Sequence, residues 1–158
     1  MAGVTNKGKF RTLESYYRGV SSPTNFYIAL VTSAVAPTAD TNTFSELTEI
    51  STGNGYAGGG IALTPGTADF DVLTQDSTND RGFIQIKDVT WTASGGSIPS
   101  TGNGIKYAIL TDDNTTQANR EVLDFWDLTT VGSTASKSIT AGLDLTLLDC
   151  EIGLNETS

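Results

Sequence analysis

An all-β fold, a jelly-roll-like β-sandwich, is what this sequence predicts, and three observations predict it. Apolar residues recur with a period of two in one segment after another. Turn-forming residues, with 17 glycines in 158 positions, separate those segments. Helical periodicity is confined to two short stretches, one near the start and one in the 43–50 region.

Taken in order, the first element is a helix over Asn6 to Tyr17, where Phe10, Leu13 and Tyr17 fall three and four apart and Gly19 offers a stop. Thr24 to Ser33 follows as a strand, with Phe26, Ile28 and Leu30 on one side and Tyr27, Ala29 and Val31 on the other. Both of its faces are expected to be covered. Thr43 or Ser45 can cap a short helix carrying Phe44, Leu47 and Ile50. Six glycines then crowd between positions 53 and 66, so backbone there either packs closely against a neighbour or is ordered by assembly.

A short strand is expected over Asp69 to Leu73, then a turn at 75–80. The run from Arg81 to Ser94 slips phase: Ile84 and Ile86 have one parity, Val89 and Trp91 the other. A bulge near Lys87 and Asp88 would restore a common face. Ile105 to Leu110 alternates, Arg120 to Leu128 is rich in large apolar residues, and Lys137 to Thr140 is a further short strand. At the C-terminal side Leu143, Leu145 and Leu147 give way to Leu148, Cys150, Ile152 and Leu154, a second phase slip of the kind that strongly bent sandwich strands require.

One domain accounts for this length: a basic arm over residues 1–20 and a single sandwich over 21–158. No run approaches the roughly 20 apolar residues that span a bilayer, and a soluble product without a membrane partner is expected. The net charge of −9 is unevenly spread. The first 18 residues hold four cations against one carboxylate, a net +3, and the rest holds five cations against 17 carboxylates, a net −12. The acidic body argues against nucleic acid as a partner, because phosphate contacts need clustered Lys and Arg. Lys7, Lys9, Phe10, Arg11, Tyr17 and Arg18 are the candidate interaction residues, placed to meet an acidic neighbour such as another copy of the chain.

Catalytic groups are scarce. Without histidine the chain lacks the commonest general base and metal ligand, and Cys150 stands alone, so no disulfide or cysteine zinc site is expected within it. The segment GNGYAGGGI lacks the Lys-Ser/Thr ending of a P-loop. Carboxylates occur close together at Asp69 and Asp71, at Asp112 and Asp113 beside Asn114, and at Asp124 and Asp127. Such pairs could serve a glycosidase or hold calcium. A solvated acidic surface is the reading their spacing favours, and no cofactor, metal or catalytic residue is assigned. Trp91, Trp126, Phe26 and Tyr107 could line a sugar-binding groove, but each sits in an alternating apolar run, which favours core packing.

Five segments together, KFRTLESYYRG (9–19), the stretch from Asn25 to Ile61, DVTWTASGGSIP (88–99), GNGIKYAILTDDN (102–114) and EVLDFWDL (121–128), give the chain a family likeness. It resembles small virion structural proteins of tailed bacteriophages, over nearly its whole length and in the same segment order. The resemblance implies a non-enzymatic protein made in the bacterial host cytoplasm and carried on the virion. Proteins of this kind often decorate the outer capsid surface as trimers, so the leading expectation is a capsid decoration or cement protein, a homotrimer partnered by the major capsid protein. A tail- or fibre-associated, receptor-binding module is the alternative within that family. A carbohydrate-binding or carboxylate-based glycan-active protein is the alternative outside it.

Overall fold

A computed structural model describes residues 2–129 and 135–155. Among these, ten strands form three antiparallel sheets, with one α-helix, so the all-β class is as expected. The strands are β1 (Ala2–Val4), β2 (Phe26–Val31), β3 (Ile61–Leu63), β4 (Val72–Asp76), β5 (Arg81–Ile86), β6 (Val89–Thr92), β7 (Tyr107–Thr111), β8 (Val122–Asp127), β9 (Asp144–Leu147) and β10 (Cys150–Asn155). The helix α1 is Asn6–Arg18. The sheets run β1-β8-β7-β2-β3, β10-β5-β4 and β6-β9.

Strands β2, β7 and β8 are buried on both faces, which is why their sequences read as continuous apolar runs. Ile28, Leu30, Leu110 and Trp126 face the larger core, shared with Ile86, Val89, Trp91 and Leu147 of the smaller sheets. Ala29, Val31, Ile109 and Phe125 face the other way, onto a second core closed by Phe44 and Leu47. The expected helix at 43–50 is a single 3₁₀ turn, Phe44–Glu46, and its function is to supply that cover. Glu46 Oε1 accepts from the backbone N–H of Thr43 at 2.9 Å, which fixes the turn. The register of β7 against β8 shifts between Leu110 and Thr111, so Leu123 is the extra residue of a bulge.

Three further expectations are corrected and one choice between alternatives is decided. The strand foreseen from Asp69 begins at Val72, because Gly66 to Phe70 makes a turn closed by the Phe70 N–H to Gly66 C=O bond at 2.9 Å. Lys137 to Thr140 is not a strand; Lys137 and Ile139 make isolated bridges to Ile105 and Ile98. Of the two alternatives for the glycine-rich loop, close backbone packing is the one found, and within the chain: a Cβ on Gly55 would lie 2.1 Å from Thr92 O, and one on Gly60 2.0 Å from Ile28 O. Both glycines also have positive φ, +104 and +79, so close approach and backbone conformation each require them.

The third correction concerns the two phase slips, which turn out to be opposite sides of one corner. Ile86 pairs with Cys150 and Val89 with Leu147, so residues 87–88 face residues 148–149 where both ribbons leave one sheet for another. Asp149 has a left-handed φ of 45 there, and its N–H donates to Asp88 Oδ1 at 3.4 Å. A break shared by two paired strands does the work expected of a bulge in each. Trp91 accordingly joins Ile86 in the core, at 2% exposure.

Candidate functional site at the first helix

The first described residues are built into the sandwich rather than standing apart from it as the arm expected over 1–20. Ala2, Gly3 and Val4 pair with Trp126, Phe125 and Asp124, making β1 the edge of the five-stranded sheet. Thr5 is fully buried: its hydroxyl donates to Val122 O at 2.6 Å and accepts from the N–H of Gly8 at 2.9 Å, capping α1. Asn6 N–H donates to Ala39 O at 2.7 Å and its Nδ2 to Asp40 at 2.8 Å. Gly8 lets the helix approach β8, since a Cβ there would lie 2.3 Å from Leu123 O. Gly19, with φ 68, ends the helix and donates to Glu14 O.

The apolar stripe read from the sequence exists, but it faces solvent. Phe10 is 49% exposed, Leu13 57% and Tyr17 75%. Gly8 is the one residue of α1 that is fully buried. Of the candidate interaction residues, Lys7 and Arg11 turn toward the body. Arg11 donates twice to Glu121, at 2.5 and 2.8 Å, and to Glu14 at 2.6 Å, while Lys7 lies 3.5 Å from Glu121. The bidentate Arg11 contact holds the Glu121 carboxyl below its usual range, and raises the Arg11 pKa in return. Lys9 and Arg18 have no ion-pair partner among the described residues and flank the exposed stripe with Phe10 and Tyr17. Leu13 and Tyr16 belong to this surface as well. Leu13 was visible in the periodicity, whereas the 82% exposure of Tyr16 follows from how the helix is seated.

Beneath the opposite face of α1 lies an open groove of about 1050 Å³. Its helix wall is Gly8, Arg11, Thr12, Ser15 and Tyr16. Its floor is apolar, from Phe26, Leu110, Leu123, Phe70, Ile84 and Ile152, and Leu73 of β4, 80% exposed, forms the far lip. Asp112, Asp113 and Glu121 stand at one end. Desolvation raises the Asp112 pKa, while hydrogen bonds from Thr24 lower that of Asp113.

The carboxylate pairs do not converge. Asp69 accepts from the N–H of Thr64 at 2.8 Å and pairs with Lys87, while Asp71 is exposed. Asp112 accepts from Glu121 N–H at 2.8 Å, and Asp113 from Thr24 N–H at 2.8 Å and Asn25 N–H at 3.2 Å, so each is engaged by its own loop. Asp124 faces the larger core and Asp127 the opposite side of β8, where it pairs with buried Lys106 at 2.9 Å. Burial opposes the charge on Asp127, yet Lys106 and Thr129 hold its pKa low. No group of three or more His, Cys, Asp or Glu placed to hold a metal ion occurs among the described residues. Trp91 and Trp126 are buried, the latter donating to Glu151 O at 3.2 Å, so neither offers a ring to a surface sugar. Cys150 packs against the core, and burial, with Asp124 nearby, pushes its thiol up to about 11.

Comparison with family models, with curated proteins and with solved structures finds no match for this chain.

Proposed function

We propose that this chain is a non-enzymatic virion structural protein of a tailed phage, a capsid decoration or cement protein that binds the outer capsid surface and its own copies and so stabilises the head. The family likeness of its segments motivates the reading. The observation that carries it is the row Phe10, Leu13 and Tyr17, exposed on a helix that is itself firmly fixed to the body. Large apolar side chains aligned on a rigid element and flanked by Lys9 and Arg18, which have no ion-pair partner among the described residues, suit a partner surface that is apolar and acidic. A pre-seated helix loses little conformational entropy on binding, and repetition over a lattice makes individually weak contacts sufficient.

Leu13→Glu and Tyr17→Glu test this, since both side chains already face water and the fold should tolerate them. Each variant should keep its thermal transition and lose at least about tenfold in affinity for expanded capsids. Wild-type affinity in both would overturn the reading. A copy number in the purified virion that matches the tail rather than the capsid lattice would move the protein from head to tail.

A further inference from the structure

We infer that the exposed stripe of α1 in one copy docks into the groove beneath α1 of the next, a head-to-tail contact between copies of this chain. The stripe and the groove lie on opposite faces of one helix: Phe10, Leu13 and Tyr17 point outward, while Gly8, Thr12 and Ser15 line the groove. A ridge and a slot on opposite faces cannot both turn toward one partner, so a two-fold pair cannot seat each ridge in the other's slot. They define a heterologous contact, which closes into a ring if the rotation between copies allows.

Size and charge both fit. A groove of about 1050 Å³ with an apolar floor open to solvent has room for a row of large side chains on a helix. Lys9 and Arg18, unpaired among the described residues, flank the stripe. At the groove the Glu121 charge is already matched by Arg11 and Lys7, whereas Asp112 and Asp113 have only neutral hydrogen-bond donors. The incoming face is therefore cationic and the receiving end anionic. This rests on the self-association in the function proposed above: a stripe seated in the neighbouring copy supports capsid binding through the avidity of the oligomer, while the contact itself requires no capsid and can be tested without one.

The test uses two full-length variants, Leu13→Glu to spoil the ridge and Leu73→Glu to spoil the lip of the groove, examined by light scattering and native mass spectrometry. Wild type should form oligomers, each variant alone should be monomeric, and an equal mixture should give a 1:1 heterodimer, because one sound ridge then meets one sound groove. A monomeric wild type at high micromolar concentration overturns the proposal. So does a Leu73→Glu variant that still self-associates, or a mixture that stays monomeric. A wild-type protein that forms these oligomers yet does not bind expanded capsids would fault the capsid reading and leave this one standing.

Discussion

Asp124 is a carboxylate set in an apolar core at 1% exposure. Desolvation pushes its pKa up to about 7, although the N–H groups of Phe125 (2.7 Å) and Gly3 favour the charged form. Its folded pKa lies above the unfolded value of about 3.9. The stabilising contribution is therefore complete below about pH 4 and is lost as pH rises through 7. Asp124→Asn removes the charge and keeps an acceptor. Its stability relative to wild type should rise by about 2–4 kcal/mol between pH 4 and pH 8, measured by urea unfolding. Parallel profiles for the two proteins would show that Asp124 is not buried as a titrating acid. In the sequence Asp124 is legible only as one of two acids three apart. Which core it faces follows from the bulge at Leu123, and the bulge leaves no mark in a segment whose two faces are both rich in large apolar residues.

At the scale of elements, the helix was legible and its seating was not. Phe10, Leu13 and Tyr17 give the period of a helix and would ordinarily mark the buried side. Here small and polar residues are buried instead: Gly8 approaches β8, and Thr5 spends its hydroxyl on Val122 O and Gly8 N–H. Hydrogen bonding and close backbone approach, neither of which carries an apolar signal, decide the orientation. Thr5→Ala should therefore cost about 1–2 kcal/mol. It should also raise amide exchange at Gly3 and Val4 well above that of β7, whereas unchanged exchange in β1 would mean that Thr5 does not anchor it. The central strands were the easier case, because Phe26–Val31 and Val122–Asp127 are apolar on both faces and are in fact covered on both. Charge and helical periodicity single out the six charged and aromatic interaction candidates, and packing divides them: Lys7 and Arg11 inward, the rest at the surface.

Across the whole molecule, two phase slips 61 residues apart meet at a single corner. Each slip was visible in its own segment, but their pairing is a property of the register, Ile86 with Cys150 and Val89 with Leu147. That meeting has a kinetic consequence. Joining the two ribbons closes a long loop, whose entropy must be overcome before any contact at the corner stabilises the chain. The hairpin-like neighbours β4–β5 and β7–β8 require far shorter closures, so the corner should be among the last parts to assemble. Leu147→Ala, at a core position beside it, should cost about 2–4 kcal/mol. In stopped-flow measurements that loss should fall almost wholly on a faster unfolding rate, with refolding little changed. A slowed refolding limb would place the corner in the folding nucleus instead. If the corner does close last, it also opens first, and the lifetime of the native state is set where Asp88 and Asp149 face each other.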